Sequence, residues 1–210
     1  MRFRFAILIL ALASVASANV AILRYAYLDT SLISGETGAV EFQFNQGLNG
    51  SQAATVEILD FAYHGALLAH DPDIGGVAPG SLLPGTVTID NSDPLLNSYY
   101  HNFQFGNWIS FWMRFSGPAI SSPDPSFTSG SAFALILWSG GEQQLTTDTS
   151  GNLFTMDINL DGTASVNDFS ENGVASFETP EPGGLALLGA PLLGLWLWRR
   201  RSVRLSEPRP

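Results

Sequence analysis

The sequence predicts a mainly β protein, an antiparallel sandwich or jelly roll, with a short apolar helix at each end of the chain. Two observations indicate the β class. Apolar and polar residues alternate with period two through the middle of the chain, as they do in strands that bury one face. Clusters of Gly, Pro, Asn and Ser separate these runs, which is typical of strands joined by turns. We therefore expect about nine or ten short strands in one domain.

The alternating runs locate the predicted strands. In 40–45, Val40, Phe42 and Phe44 alternate with polar residues, whereas 132–138 is continuously apolar, as expected of a central strand. Further predicted strands are 86–90, 100–105, 108–115, 154–160 and 163–169. The stretch 51–68 has the alanines and leucines of a helix, but its segment TVEILDF also fits a strand, which we prefer.

The N-terminal segment has the layout of a secretory signal. Arg2 and Arg4 precede an apolar block, and small residues ending in Ala16-Ser17-Ala18 follow it. This layout predicts a signal peptide over 1–18, removed between Ala18 and Asn19. The alternative, an N-terminal membrane helix, is disfavoured because the apolar block is short.

Charge and cysteine content exclude several functions. Between Asn19 and Thr179 two arginines stand against 17 acidic residues, a net charge near −15. Such a surface repels phosphate backbones, so we expect no nucleic-acid partner. The chain has no cysteine, which excludes disulfides, thiolate chemistry and cysteine-ligated zinc.

The stretch DINLDGTASVND, 157–168, fits the spacing of a calcium loop. The candidate ligands are Asp157, Asn159, Asp161 and Asp168, with Gly162 at the turn. Such loops need flanking helices, which are absent from the pattern, and Asp-Gly between two alternating runs also predicts a β-hairpin. The hairpin is favoured; calcium remains the alternative, and otherwise no cofactor is expected.

A second candidate site is the outward face of 108–115. Trp108 and Trp112 share that face, where exposed indole rings can stack on sugar rings. The favoured interpretation is that this face packs on a second sheet or under a loop, because most large aromatic residues serve as core. A sugar-binding face is the alternative.

Few features of the sequence indicate catalysis, and we expect that the protein is not an enzyme. His64, His70 and His101 share no spacing, and neither a GxSxG nor an HExxH motif occurs. A pair of carboxylates for glycoside hydrolysis stays open because acidic residues are so numerous.

The C-terminal segment is marginal as a membrane anchor. Residues 183–198 would span roughly 24 Å as a helix, less than a hydrocarbon core of about 30 Å. Arg199, Arg200 and Arg201 follow at once and predict a stop-transfer signal with a cytoplasmic tail, 199–210.

Pro180-Glu181-Pro182, a glycine pair, a leucine-rich segment and a terminal arginine cluster together resemble the PEP-CTERM sorting signal. The resemblance implies an exported protein of a Gram-negative bacterium that makes exopolysaccharide. It also implies processing near Pro180, Glu181 and Pro182 by exosortase, a membrane protease. More weakly, 28–47, 83–93 and 105–111 resemble PEP-CTERM proteins with an exported β-rich domain, a group that implies no activity.

These observations predict five regions: a signal peptide at 1–18, a β-sandwich ectodomain at 19–172, a linker with the sorting motif at 173–182, a transmembrane sorting helix at 183–198 and a basic tail at 199–210. The expected protein uses Sec-type export, passes through an inner-membrane intermediate, and ends at the cell surface or outside the cell. Its expected role is structural or adhesive in an exopolysaccharide or biofilm. A carbohydrate- or calcium-binding module and a secreted hydrolase are the alternatives.

Overall fold

A computed structural model describes residues 21–69 and 72–180. The predicted signal peptide, its cleavage residues Ala18 and Asn19, and the C-terminal segment from Glu181 lie outside the described residues. The chain divides into the units Met1–Glu178 and Thr179–Pro210. The fold below is that of the first unit.

Within the described residues, eleven strands form one antiparallel sheet with very little helix. The strands are β1 (Ile22–Asp29), β2 (Thr37–Gln46), β3 (Thr55–Leu67), β4 (Asp73–Gly75), β5 (Val87–Asp90), β6 (Ser98–Ser116), β7 (Ser131–Ser139), β8 (Glu142–Gln143), β9 (Phe154–Ile158), β10 (Ala164–Asp168) and β11 (Ala175–Glu178). The helical turns are a four-residue helix α1 (Pro118–Ser121) and two 3-10 turns, η1 (Ser31–Ile33) and η2 (Glu171–Gly173). The prediction of a mainly β, antiparallel fold is therefore confirmed.

Strand β6 organises the sheet because it is 19 residues long and pairs along both edges. The main path of neighbouring strands is β10-β9-β7-β2-β6-β1-β11, and β3, β4, β5 and β8 attach beside it. On one edge, the first half of β6 pairs with β2 and the second half with β1. On the other edge, β3 runs along β6 with two register shifts and carries β5. The sequence predicted two strands here, 100–105 and 108–115, and this division is wrong.

Strands β1 and β2 lie end to end along the same edge of β6, and η1 joins them. Thr30 lies at this junction and is fully buried. Its backbone N–H donates to Asn107 O at 2.9 Å, and its hydroxyl donates to Gly106 O at 2.7 Å. Gly106 must be glycine because a Cβ atom there would collide with the carbonyl oxygen of His64 on β3. These contacts keep the middle of β6 continuous where a turn would otherwise form.

The core lies between the two halves of the sheet and is rich in phenylalanine. Phe42 of β2 is paired in the ladder with Tyr99, yet its ring packs against Phe111 in the other half of β6, with centroids 5.3 Å apart. Near the two ends of the strand path, the rings of Phe154 of β9 and Phe177 of β11 pack with centroids 4.7 Å apart. The inner surfaces of the two halves therefore bury their apolar side chains against each other, which supplies the main favourable free energy of folding.

The remaining predicted strands agree closely with the observed ones. The segment TVEILDF lies in β3, so the strand interpretation of 51–68 is correct and the helix interpretation is not. The apolar run 132–138 lies in β7, which pairs with β2 and β9 on its two edges, as a central strand should. The last strand, β11, extends the sheet to Glu178, past the expected domain end at residue 172.

Candidate functional site

An aromatic surface lies on the outer side of β1 and the second half of β6; we call it the aromatic face, made of Tyr25, Tyr27, Trp108 and Trp112. Along β6 these tryptophans alternate with fully buried residues of the core such as Phe111. Both tryptophans are partly exposed, and Tyr27 is 38% exposed. The prediction that Trp108 and Trp112 share an outward side therefore agrees with the structure.

The four rings form two pairs across the β1–β6 ladder. Tyr25 lies directly opposite Trp112, and their centroids are 5.0 Å apart. Tyr27 and Trp108 are diagonal neighbours, stacked at 6.5 Å with an interplanar angle of 19°. Contacts of this kind fix the orientation of each ring beyond what buried area alone would do. The tyrosines are therefore rigid supports for the two indoles.

A small residue separates the two tryptophans along β6. Ser110 lies between Trp108 and Trp112 on the same side of β6, and in the neighbouring strands it faces Tyr27 and Ala62. The two tryptophan Cα positions are about 13 Å apart along the strand. The outer surface thus has an indole at each end with Tyr27 and Ser110 between them, and a surface of this length suits an extended ligand longer than one ring.

Polar groups border the aromatic face. Arg114 donates to both carboxylate oxygens of Glu57, at 2.5 and 2.7 Å, and this pairing raises the pKa of the guanidinium. Asp29 lies opposite Trp108. Hydrogen bonds from the Ser31 side chain and from Ser31 N, the latter at 2.9 Å, lower the pKa of its carboxyl group. Hydrogen-bonding groups next to an apolar ring face are the combination that binds sugar hydroxyls and C–H groups together.

The stretch 157–168 forms the β9–β10 hairpin. Asn159 N donates to Thr163 O at 2.8 Å, and Gly162 N donates back to Asn159 O at 3.0 Å. Gly162 has φ +80°, so the connection is a three-residue loop with glycine in the left-handed position. Asn159 also donates its amide to the Thr163 hydroxyl at 3.0 Å. The expected hairpin is present, with a loop one residue longer than a two-residue turn.

The other three candidate calcium ligands do not converge. Asp157 lies on the outer side of β9 and accepts a hydrogen bond from Asn167 at 2.8 Å. Asp168 lies opposite the buried Phe154 and so points from the other side of the hairpin. Asp161 accepts hydrogen bonds from Thr163, which lower its pKa.

In the part of the chain that the structure describes, no group of three or more His, Asp or Glu side chains is placed to hold a metal ion. Calcium binding by 157–168 stays a prediction.

The histidines lie on different elements. His64 is on β3, where its Nδ1 accepts a hydrogen bond from Asn107 N at 3.0 Å. His101 is on β6, stacked on Tyr99 with centroids 6.2 Å apart. His70 lies outside the described residues. The expectation that the chain is not an enzyme stays a prediction.

Of the sorting motif, only Pro180 lies within the described residues, and it is exposed. Glu181, Pro182, the apolar segment 183–198 and the arginines Arg199, Arg200 and Arg201 lie outside them. Across 21–69 and 72–180, no helix has the length and apolar character needed to cross a bilayer.

Sequence reasoning missed the two tyrosines of the aromatic face. The signal was present, because Tyr25 and Tyr27 alternate with the apolar Ala26 and Leu28. The long-range pairing of β1 with β6 was not visible, so the tyrosines could not be placed beside the tryptophans. Comparison of the chain with protein-family models, with curated protein sequences and with solved structures found no match.

Proposed function

We propose that this chain is an exported protein whose β domain adheres to extracellular polysaccharide, and that its C-terminus is a PEP-CTERM sorting signal processed by exosortase. The domain is a two-layer sandwich of the jelly-roll type, an architecture supported by the Phe42–Phe111 and Phe154–Phe177 contacts between the halves of the sheet. The role is structural or adhesive at the cell surface or in an extracellular matrix.

The aromatic face is the observation that carries the adhesive role. Trp108 and Trp112 have a polar N–H as well as a large apolar surface, and both are partly exposed. Tyr25 and Tyr27 hold them in place, so binding requires little ordering of side chains. A rigid row of indoles on a sheet surface suits flat sugar rings, which present C–H groups to an aromatic face.

Charge narrows the class of polysaccharide. The exported part carries two arginines against 17 acidic residues, and Arg114 is already paired with Glu57. A polymer with many carboxylates or sulfates would be repelled at low salt. The ligand we propose is therefore a polysaccharide that carries no dense negative charge.

Affinity electrophoresis tests the adhesive role. The full-length chain, kept soluble in mild detergent, migrates through native gels that contain hydroxyethyl cellulose, galactomannan or the anionic polymer alginate. We expect one of the neutral polymers to retard the parent, and the Trp108→Ala/Trp112→Ala variant to bind that polymer at least about tenfold more weakly. Leu32→Ala, at an exposed apolar residue in η1, is the matched control and should bind like the parent. Unchanged migration of the parent in all three gels would remove the adhesive role.

A separate experiment tests sorting. The protein is expressed in its host with and without exosortase, and its C-terminus and cellular fraction are determined by mass spectrometry. We expect a shortened C-terminus near Pro180-Glu181-Pro182 only when exosortase is present. An intact C-terminus in both hosts would leave a single-pass membrane protein and remove the sorting proposal.

A further inference from the structure

A second outward surface lies on the other half of the sheet; we call it the polar face, made of Glu41, Gln43, Asn45, Tyr100 and Trp138. The first three lie on β2 and alternate with core residues of that strand. Tyr100 of β6 is directly opposite Glu41 on one side. Trp138 of β7 flanks Glu41 on the other side.

Hydrogen bonds order these side chains into a continuous row. Trp138 Nε1 donates to one carboxylate oxygen of Glu41 at 2.8 Å, and Gln43 donates to the other at 2.7 Å. Asn45 donates its side-chain amide to Gln43 Oε1 at 3.3 Å, and its own side-chain oxygen Oδ1 accepts from Asn97 N at 2.7 Å. Each group therefore holds the next in one orientation.

The row keeps the capacity to bind more hydrogen-bonding groups. A carboxylate can accept about four hydrogen bonds, and each Glu41 oxygen accepts one from the protein. Gln43 uses one of its two amide hydrogens in the row. The hydroxyls of a sugar ring can accept from the Gln43 amide and pair with the Tyr100 phenol. Both side chains are partly exposed, so the chemistry of the polar face fits a polyol.

Charge and burial favour a neutral ligand here as well. Glu41 is only 9% exposed, and Asp73 of β4 lies next to Tyr100 on the same side. Burial and these two carboxylates raise the pKa of the Tyr100 phenol, which keeps it a neutral hydrogen-bonding group. The two arginines between Asn19 and Thr179 both lie in the other half of the sheet, on β1 and the second half of β6. An anionic polymer would therefore be repelled from the polar face.

The two faces point away from each other. Phe42 lies on the inner side of β2, opposite the polar face, and its ring contacts Phe111 on the inner side of β6, opposite the aromatic face. The rings of Phe44 and Phe115 make the same kind of contact, with centroids 5.9 Å apart. One polysaccharide chain lying flat on the aromatic face would therefore leave the polar face free for another chain.

We propose that the polar face is a second sugar-binding surface, and that the domain thereby cross-links two polysaccharide chains. This inference rests on the proposed function, because it takes the aromatic face as the first binding surface. The ligand class is the same, an extended neutral polysaccharide. Two opposed surfaces on one small domain would make the protein a cross-link of the matrix, which a single surface cannot be.

The test combines binding with cross-linking of the full-length chain in mild detergent. Hydroxyethyl cellulose and galactomannan are the probes, and dynamic light scattering follows particle size as the protein-to-polymer ratio rises. The aromatic-face variant is Trp108→Ala/Trp112→Ala, and the polar-face variant is Tyr100→Ala/Gln43→Ala. The parent should enlarge the particles most at an intermediate ratio. Each variant should lose the enlargement. The polar-face variant should still bind through the aromatic face, the aromatic-face variant should keep only the weaker binding of the polar face, and the combined variant should lose binding as well.

A second polar-face variant separates a loss of binding from a loss of folding. Asn102 lies beside Tyr100 on β6, opposite Ala39, and its side chain makes no hydrogen bond within the described residues. Asn102→Arg therefore adds a long side chain over the polar face without removing a contact of the row. It should also abolish the enlargement while the thermal unfolding temperature and the binding at the aromatic face remain.

Each contrary outcome has a distinct meaning. If both polar-face variants enlarge the particles and bind as the parent does, the polar face is not a binding surface, while the proposed function stands. The same conclusion follows if the aromatic-face variant alone abolishes all binding. If the parent binds none of the polymers, the proposed function fails, and the cross-linking proposal fails with it.

Discussion

Strand β6 carries aromatic residues on both of its sides, and the two sets differ in chemistry. Those on the inner side include Phe103, Phe105, Phe111 and Phe115, all at most 1% exposed. Those on the outer side are Tyr100, Trp108 and Trp112, each partly exposed. Phenyl rings have no polar group to satisfy, whereas tyrosine and tryptophan keep a hydrogen-bonding group that prefers a partner or water. The inner rings therefore stabilise the fold, and the outer rings are available for binding.

The largest expected effect on stability comes from removing a phenyl ring on the inner side of β6. Phe111→Ala should lower the free energy of unfolding by about 3–5 kcal/mol, because it leaves a cavity against Phe42 and Phe61. Its neighbour on the outer side provides the control, since Trp112→Ala should cost about 1 kcal/mol. Urea unfolding of the two variants measures both values. Equal losses would mean that the outer ring is also part of the core.

Tyr99 is the exception on the inner side, because it places a phenol in the core. It is fully buried, and burial raises its pKa. The stability from the neutral phenol is complete below its ordinary pKa of about 10 and is lost as the pH rises towards the higher folded value. We expect urea unfolding of the parent to show falling stability above about pH 10, with a shallower fall for Tyr99→Phe. Parallel curves would contradict a role for this phenol.

At neutral pH, Tyr99→Phe should cost about 1 kcal/mol. The variant removes the hydroxyl that accepts a hydrogen bond from Leu82 N at 3.4 Å. This small loss, measured in the same titration, separates the hydrogen bond from the effect of the raised pKa.

On the outer side, the Glu57–Arg114 pair should contribute little. Because the Arg114 side chain is 46% exposed, Glu57→Gln should lower the free energy of unfolding by roughly 0.2–1 kcal/mol, and less at high salt. Thermal unfolding at low and high ionic strength measures the change. A loss that is large and independent of salt would show that the pair is screened from water.

Calcium should have the smallest effect, because Asp157 and Asp168 lie on opposite sides of their hairpin. We expect millimolar calcium to leave the thermal unfolding temperature of the full-length chain unchanged, and calorimetry to record no binding heat. A cation bound only by the folded state would raise that temperature. A rise that Asp157→Asn abolishes would support the calcium loop instead.

Local pattern was sufficient for much of the sheet. Alternation alone predicts that Val40, Phe42 and Phe44 lie in the core, and the continuous apolar run 132–138 predicts a central strand; the structure agrees with both. The sequence does not predict that β6 is one continuous strand, because Gly106-Asn107 has the composition of a turn. Hydrogen bonds from Thr30, distant in sequence, keep that segment extended.

The sequence predicts only part of the candidate site, because the rest depends on contacts between distant segments. Trp108 and Trp112 share one strand, so their spacing was enough to place them together. Tyr25 and Tyr27 join them only through strand pairing that spans more than 80 residues of chain, which no local pattern encodes. The polar face likewise depends on the meeting of β2, β6 and β7, so neither Tyr100 nor Trp138 could be placed next to Glu41.

The proposed contact between sugar and the aromatic face is tested most directly by the indole N–H signals of the five tryptophans in a proton–nitrogen NMR spectrum. The full-length chain in detergent is titrated with short oligosaccharides of whichever neutral polymer retards it in the gel. We predict that the Trp108 and Trp112 signals shift with the same saturation curve, while those of Trp196 and Trp198 in the C-terminal segment stay in place. Unmoved signals for Trp108 and Trp112 at saturation would contradict the account.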